Sequence, residues 1–266
     1  MAYTIPQHPP IILPHNGPTI IPLSEGAFTV GKDKKFIPFN TEQDNLQQRS
    51  QGSILVEIQP FVIITQNDII LIDTGLGFSN TDGTLQLHQN LLHYNINPMD
   101  VTKVILSHLH KDHSGGISRE DKIFGTKTFS FPNATHYVNA QELEYAYATG
   151  APSYTPDEFS ILLNHDKVIC TPPNTVIDGY ITLTHTGAHS KYHQSITIQQ
   201  GEHTIFYGGD VAPQLVQMKS KFVAKYDYDG KLCMELRQQW WQQGLAQGYT
   251  FLFYHDIGTP VYQCGL

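Results

Sequence analysis

The alternation of apolar and polar positions predicts a chain of short strands interrupted by a few helices. Runs of β-branched residues at 54–64 and 69–72, joined by a Gln66-Asn67-Asp68 turn, predict a hairpin. Helices are predicted near 85–94, 139–148 and 234–247, the second with Asn139 as its cap and Glu142 reaching back to the cap. Further strands are predicted at 101–106, 167–170, 180–184, 195–199, 203–207 and 251–254. This mixture indicates an α/β or α+β chain.

The organisation of the chain favours one domain. The first 50 residues are short extended pieces joined by Pro and Gly turns, and no repeat, low-complexity tract or clear linker follows them. A length of 266 residues suits a single mixed domain. We therefore expect one domain over residues 1–266, with residues 1–50 as an N-terminal extension that packs on it.

Composition and charge narrow the classes of partner. The net charge of −8, from 24 acidic and 16 basic residues, argues against nucleic acid or an anionic membrane. The three cysteines form no C-x-x-C pair, and no apolar run approaches the roughly 18 residues that span a bilayer. We expect a cytoplasmic protein that acts on a small molecule, and a homodimer is compatible with the sequence.

Histidine is the residue type that points to chemistry, and one segment concentrates it. The chain has 14 histidines, and His108, His110, Asp112 and His113 follow directly after the strand predicted at 101–106. Residues two apart in an extended segment point the same way, so His108 and His110 can grip one metal ion. A turn at Lys111 would aim Asp112 and His113 at a second position. Imidazole and carboxylate are the ligands of open catalytic zinc sites.

Three more residues whose side chains can bind a metal follow predicted strands, namely His189, Asp210 and His255. Each alone has an ordinary explanation, since an Asp after two glycines is usually a turn or helix cap. Together with the first segment they make five His and two Asp, which is a complete set for two metals. The Gly115-Gly116 pair would let other backbone pass close behind the cluster.

These positions resemble the ligand pattern of metallo-β-lactamase-fold hydrolases, which is His-x-His-x-Asp-His followed by a distant His, an Asp and a His. The resemblance covers roughly residues 54–257, and Asp73-Thr74-Gly75 matches the family's Asp-x-Gly element. It implies an αβ/βα four-layer sandwich, with two mixed β-sheets flanked by helices. It also implies two divalent metal ions per chain, zinc first, with manganese, iron and cobalt as alternatives.

The resemblance further implies a role for each residue. One metal would be held by His108, His110 and His189, the other by Asp112, His113 and His255, with Asp210 bridging the two. Asp73 and His193 would orient ligand imidazoles through hydrogen bonds. Asp73 and His193 could equally be ordinary structural polar residues, and the residue types alone leave this alternative open.

The branch of the family is indicated by the chain's last motif. Phe253-Tyr254-His255-Asp256-Ile257 is similar to the ending of bacterial N-acyl-homoserine lactonases, which are quorum-quenching enzymes, and Asp210 stands where common zinc β-lactamases carry Cys. The resemblance implies opening of a lactone ring by a hydroxide that two metals share and whose parent water has its pKa lowered towards ~7. Asp112 would be the catalytic proton carrier to the leaving oxygen.

Other functions remain open at this point. A member of the same fold could cleave another ester, a phosphotriester such as an organophosphate, or a glutathione thioester in the manner of glyoxalase II. A metal-binding protein without turnover is the non-enzymatic alternative, and the complete ligand set argues against it.

The substrate contacts are expected from the aromatic segment at 142–163. Tyr145, Tyr154 and Phe159 would form an apolar wall over the metals, or would merely pack the helix on the sheet. A Tyr that many lactonases carry three residues after the bridging Asp is replaced here by Pro213. If a phenol assists the carbonyl, it comes from Tyr226, Tyr228 or Tyr254, among which the sequence does not choose.

Overall fold

The computed structural model describes residues 6–120 and 125–265, and its strands are short. In chain order the strands are β1 Ile11–Ile12, β2 Thr19–Pro22, β3 Gly26–Val30, β4 Phe36–Pro38, β5 Ile54–Ile58, β6 Phe61–Ile64, β7 Ile69–Ile72, β8 Lys103–Ile105, β9 Ser118–Glu120, β10 Lys127–Phe129, β11 Thr135–Asn139, β12 Val168–Thr171, β13 Thr175–Ile177, β14 Ile181–His185, β15 Gln194–Gln200, β16 His203–Tyr207, β17 Thr250–Leu252 and β18 Val261–Gln263.

The α-helices fall between these strands. They are α1 Gln86–His93, α2 Lys111–Ser114, α3 Ala140–Thr149, α4 Pro156–Phe159, α5 Leu215–Met218 and α6 Gly230–Gln247. Three of them, α1, α3 and α6, pack on the sheets. Within the described ranges, no helix combines the length and the apolar character that crossing a bilayer requires.

Two mixed sheets organise the molecule. The first has the order β1-β2-β6-β7-β8-β11-β12 and turns from antiparallel to parallel pairing at β7 and β8. The second has the order β13-β14-β15-β16-β17-β18 and is antiparallel except where β16 pairs with β17. Two smaller antiparallel sheets, β4-β3-β5 and β10-β9, complete the topology.

Side chains alternate between the two faces of each strand and so build three apolar layers. In β7, Ile70 and Ile72 point into the core between the two sheets, whereas Leu71 points to the outer core shared with α1 and α3. On the second sheet, Phe206 points outward to Trp240 of α6. Burial on both faces explains the β-branched runs of the sequence. The helix–sheet–sheet–helix order confirms the expected four-layer fold.

The N-terminal residues contribute strands to two of the sheets. β1 and β2 form the edge of the first sheet, with β2 paired antiparallel to β6, and β3 pairs with β5. The predicted hairpin is confirmed between β6 and β7, but its first strand, expected over 54–64, is divided at Gln59-Pro60, where β5 leaves for the small sheet and β6 joins the large one. Proline lacks the N–H that a continuous ladder would need.

Candidate metal centre

The candidate ligands lie where strands end, on one edge shared by the two sheets. The segment after β8 carries His108 and His110 in a loop, then Asp112 and His113 in the short helix α2. The second sheet brings His189 after β14, Asp210 after β16 and His255 after β17. The loop behind them is tight, since a side chain on Gly116 would collide with the carbonyl of Thr74. This close approach confirms the reason expected for two adjacent glycines.

The structure brings all seven expected ligands together, in two groups. One group is His108, His110, His189 and Asp210, and the other is Asp112, His113 and His255. Within each group the potential ligand atoms lie within 4.8 Å of one another. The set therefore matches the number and type of donors that two divalent cations use.

The spacing of the imidazole nitrogens fits a metal. His110 Nδ1 lies 3.0 Å from His108 Nε2 and 3.1 Å from His189 Nε2. Two nitrogens on one tetrahedral zinc ion, each 2.0–2.1 Å from it, are roughly 3.4 Å apart. Buried His113 Nε2 and Asp210 Oδ1 lie 3.1 Å apart and have no other hydrogen-bond partner among the described residues apart from His255 Nε2 beside Asp210 Oδ1, as expected of atoms that face one cation.

Asp210 faces both groups with different oxygens. Its Oδ1 lies 3.1 Å from Nε2 of both His113 and His255, and its Oδ2 lies 3.3 Å from His189 Nε2. Burial by itself would raise the pKa of Asp210, but the positive charges of His255, His113 and His189 outweigh it and hold that pKa well below the usual range. Positive charge at this place, from protonated imidazole or a bound cation, is what the ionised carboxylate requires.

The histidines divide by their electrostatic surroundings. Burial lowers the pKa of His108 and His110 well below the ordinary value, so both imidazoles are neutral and able to bind a metal. Burial also opposes a charge on His113, yet the carboxylates of Asp210, Asp112 and Asp73 hold its pKa well above the ordinary value. The group of Asp112, His113 and His255 thus has more negative charge around its imidazoles than the group that contains His108 and His110.

Most of the ligand imidazoles are fixed by a hydrogen bond on the nitrogen away from the centre. His113 Nδ1 lies 2.8 Å from Asp73 Oδ2, His189 Nδ1 lies 2.7 Å from Asp227 Oδ1, and His255 Nδ1 lies 2.7 Å from the carbonyl of Glu57. Such partners set the tautomer that leaves Nε2 free for a metal. Asp227 carries no spacing signal in the sequence, and sequence reasoning missed it.

Asp73 and His193 have different surroundings. Asp73 contacts the His113 imidazole and also accepts from Ser107 Oγ at 2.7 Å and Tyr207 OH at 2.6 Å. His193 bonds to Thr186 Oγ1 and accepts the backbone N–H of Asp210 at 3.2 Å. His193 therefore positions the Asp210 backbone rather than a ligand nitrogen.

The Glu142 side chain bonds to a different partner from the helix cap that the sequence predicted. Asn139 caps α3 as predicted, by accepting from the backbone N–H groups of Gln141 and Glu142. The Glu142 side chain does not return to the cap, since its Oε1 accepts from the N–H of Leu109 at 2.9 Å. It thereby fixes the backbone between His108 and His110.

A cavity of about 500 Å³ opens onto the centre and reaches His110, Asp112, His189, Asp210 and His255. Its apolar walls come from the small β4-β3-β5 sheet and from the segment after Asp210. The lining includes Val30, Phe36, Ile54, Val56, Pro213, Phe222 and Tyr226.

Tyr145, Tyr154 and Phe159 do not line this cavity. Tyr154 and Phe159 are buried in the outer core, and Tyr145 packs against that core. Their spacing reflects packing of α3 and α4 on the first sheet, the alternative that the sequence left open. Tyr154 still reaches the centre indirectly, because its ring lies 4.9 Å from that of His110.

The three tyrosines considered for carbonyl assistance are now distinguishable. Tyr254 is fully buried and its OH donates to the carbonyl of Asp112 at 2.6 Å. Tyr228 is largely exposed and outside the cavity lining. Tyr226 lines the cavity, with its ring 6.4 Å from that of His189. Although Tyr226 is 44% exposed, partial loss of solvent around its phenol, then the charges of Asp227 and Asp210, raise its pKa to about 12, so the phenol keeps its proton.

Comparisons of the sequence identify a family and a set of relatives. A family model described as the Metallo-beta-lactamase superfamily matches residues 56–240. A protein named N-acyl homoserine lactonase AttM from Azorhizobium caulinodans is 45% identical over 65 residues, which cover 24% of this chain and 18% of that relative. A protein of the same name from Rhizobium radiobacter is 34% identical over 116 residues, which cover 38% of this chain and 37% of the relative. The chain thus matches less than half the length of these relatives.

Comparisons of the fold extend over nearly the whole chain. A probable metal-dependent hydrolase from Staphylococcus aureus superposes with a TM-score of 0.75 at 22% identity, covering 93% of this chain and 92% of the other. A structure described as AidC, a dizinc quorum-quenching lactonase with a product, gives 0.71 at 19% identity, covering 95% and 92%. At these identities the similarity shows a shared fold.

Proposed function

The chain belongs to the metallo-beta-lactamase superfamily, and from that premise we propose that it is a dinuclear metal-dependent hydrolase that opens the lactone ring of N-acyl-homoserine lactones. The observation that carries the dinuclear part is the position of Asp210, whose two carboxylate oxygens face the two ligand groups separately. A single metal would leave one oxygen and the second group of donors without a function. Zinc is the proposed metal, because imidazole and carboxylate are the ligands that open catalytic zinc sites use.

The substrate class rests on the relatives and on the chain's last motif. The curated relatives are named N-acyl homoserine lactonases, and His255-Asp256-Ile257 is similar to the ending of that branch. Asp256 has a structural role, since its carboxylate accepts hydrogen bonds from the backbone N–H groups of Leu215, Gly258 and Thr259. It holds the His255 loop against the segment that follows Asp210.

Two divalent ions in these positions would lower the pKa of a water towards ~7 and would polarise the ester carbonyl. The chain's own contribution begins with Asp112, whose side chain lines the cavity and whose Oδ2 lies 3.6 Å from His255 Nε2. A carboxylate so placed can take a proton from the attacking water and deliver it to the leaving alkoxide. Tyr226, which lines the same cavity and keeps its proton, can donate a hydrogen bond to the developing oxyanion.

The experiment that tests this function uses zinc-loaded protein and a substrate panel. N-hexanoyl-homoserine lactone, an aryl phosphotriester and a glutathione thioester are compared by kcat/KM, and the metal content is measured by elemental analysis. We expect about two metal ions per chain and the highest kcat/KM on the lactone. A preference for the phosphotriester or thioester would overturn the lactonase proposal. One ion or none in gently purified protein would contradict the dinuclear centre.

A further inference from the structure

The cavity in front of the metal centre has a basic lining in an acidic protein. Four of the chain's 16 basic side chains line it, namely Lys32, Lys34, Arg49 and Lys111. The acidic residues in its described lining are Asp112 and Asp210, both of which belong to the candidate metal centre. The net charge of the whole chain is −8, so this cavity differs in sign from the average surface.

Two of these cations rest on aromatic rings. Lys34 Nζ lies 5.7 Å from the ring centroid of Tyr226, and Lys111 Nζ lies 5.5 Å from that of Phe36. Across residues 6–120 and 125–265, neither ammonium has a carboxylate oxygen within 4.0 Å. A cation–π contact at such a site is worth only about 0.5–1 kcal/mol, so it leaves both ammonium groups able to bind an anion. Lys111 also interacts with the carboxyl of Glu158, whose pKa is raised by burial to about 7.

The other two cations are placed differently. Lys32 and Arg49 are exposed, whereas Lys34 and Lys111 are half-buried, and all four line the cavity. The same lining includes apolar side chains, Val30, Ile54, Val56 and Phe222 among them. The cavity thus combines a candidate metal centre, apolar side chains and the four basic side chains named above, which we call the basic rim. A neutral acyl chain would use the first two features and leave the basic rim without a partner.

We propose that the substrate carries an anionic group, a carboxylate, sulfonate or phosphate, on an apolar stem away from the bond that is hydrolysed, and that Lys34 and Lys111 bind this anion. The identity of the hydrolysed bond rests on the proposed function, whereas the anion site rests on the basic rim alone. A cavity of positive potential attracts an anionic substrate while the negative surface elsewhere repels it, which directs the substrate to this cavity.

The first test compares two lactones of equal chain length. N-hexanoyl-homoserine lactone and its ω-carboxylate analogue, made with adipic acid, are assayed with zinc-loaded protein. We expect kcat/KM for the anionic lactone to exceed that for the neutral one by about 10-fold at low ionic strength, and the ratio to fall at ~1 M salt, where the screening length is only ~3 Å. Equal values, or a preference for the neutral lactone, would overturn the proposal.

Matched variants locate the effect. Lys34→Gln and Lys111→Gln should each lower the ratio of the two kcat/KM values, because each removes one positive charge from the rim. Lys231→Gln is the control, since Lys231 is exposed on α6 beside Glu235 and does not line the cavity. If the ratio of the two kcat/KM values is the same in Lys34→Gln as in the Lys231→Gln control, the assignment of the anion site is wrong.

A binding experiment separates this proposal from the proposed function. Hexanesulfonate, hexyl phosphate and hexanol are titrated into the zinc-loaded protein by calorimetry, which requires no turnover. We expect one or both anions to bind and hexanol to bind more weakly, with a loss of about 5- to 10-fold in anion affinity in Lys34→Gln. If the lactones are not cleaved but this Lys34-dependent binding is seen, the lactonase proposal fails and the anion site stands. Anion binding that is insensitive to Lys34 overturns the anion site even if the lactones are cleaved.

Discussion

At the scale of single residues, the candidate ligands and one support, Asp73, were predictable, whereas the other supports were not. His108, His110, Asp112 and His113 lie within six positions, so their spacing signals a shared metal. Asp227 acts from 38 residues beyond His189, and only the folded chain brings its carboxylate to the imidazole. The basic rim was missed for the same reason, because Lys34 and Lys111 are far apart in sequence and meet at one cavity.

The support of His189 is testable through its metal affinity. Asp227→Asn removes the negative charge that accepts from His189 Nδ1, so we expect metal affinity to fall by about 10- to 100-fold. Competition with a chelating dye measures the loss. Asp166→Asn is the matched control, since Asp166 lies on the surface beside His165. Equal affinities in the two variants would show that the hydrogen bond does not orient the ligand.

The role of the Tyr226 phenol is tested by removing its hydroxyl. Tyr226→Phe should lower kcat by about 10-fold or more, because a donor to the oxyanion is lost from the cavity. Tyr228→Phe is the matched control, as that side chain is exposed and outside the lining. Steady-state kinetics on the best substrate give both values. An unchanged kcat in Tyr226→Phe would exclude the phenol from the reaction.

At the scale of elements, periodicity located most strands and helices, and the differences have local causes. The predicted strand at 203–207 has the observed bounds, and the predicted helix at 234–247 begins earlier, at Gly230, where the Asp229 side chain accepts from the N–H of Leu232. The break between β5 and β6 at Gln59-Pro60 needs knowledge of which sheet each strand joins. Propensity along a segment does not contain that information.

Helix α6 depends on a close approach at one glycine. A side chain at Gly244 would collide with the ring of buried Phe251 on β17. We therefore expect Gly244→Ala to destabilise the protein by about 1–3 kcal/mol, although Ala is the better helix former by about 1 kcal/mol. Ala246→Gly on the exposed side of α6 should lose only the propensity of about 1 kcal/mol. Denaturant unfolding measures both, and a stabilised Gly244→Ala would contradict the packing.

At the scale of the whole molecule, the resemblance predicted the four-layer arrangement, but not how the N-terminal segment enters it. Glu25, between β2 and β3, is buried and its Oε2 accepts from the N–H of Leu76 in the loop that follows β7. Burial, opposed by this hydrogen bond, raises the pKa of Glu25 from 4.5 to about 8. The first 50 residues therefore carry part of the protein's pH dependence.

The sign of that dependence follows from the raised pKa. Between pH 4.5 and about 8 the folded state holds a proton on Glu25 that the unfolded state has lost, so stability falls as pH rises and levels off above about 8. The full effect has an upper limit of roughly 5 kcal/mol, at about 1.4 kcal/mol per pKa unit. Glu25→Gln should flatten this decline in unfolding curves taken from pH 5 to 9. The exposed Glu42→Gln should leave the decline as it is.

Metal removal acts on the whole molecule as well. A strong chelator should lower the melting temperature, because ions that bind only the folded chain stabilise it in proportion to their affinity. Restoring zinc should recover the original value, and differential scanning calorimetry measures both steps. If the chelator leaves the melting temperature unchanged, the seven donors hold no tightly bound ion.

The seven candidate donors are divided between the two large sheets. The first sheet contributes His108, His110, Asp112 and His113, and the second contributes the other three. Neither half of the chain has a complete reaction centre of its own. If the proposed hydrolysis occurs at this centre, a chain with only one of the two sheets assembled would be inactive, because the donors of the other sheet would be missing. Two separately produced halves should regain activity only by reassociating, so turnover would report the finished molecule.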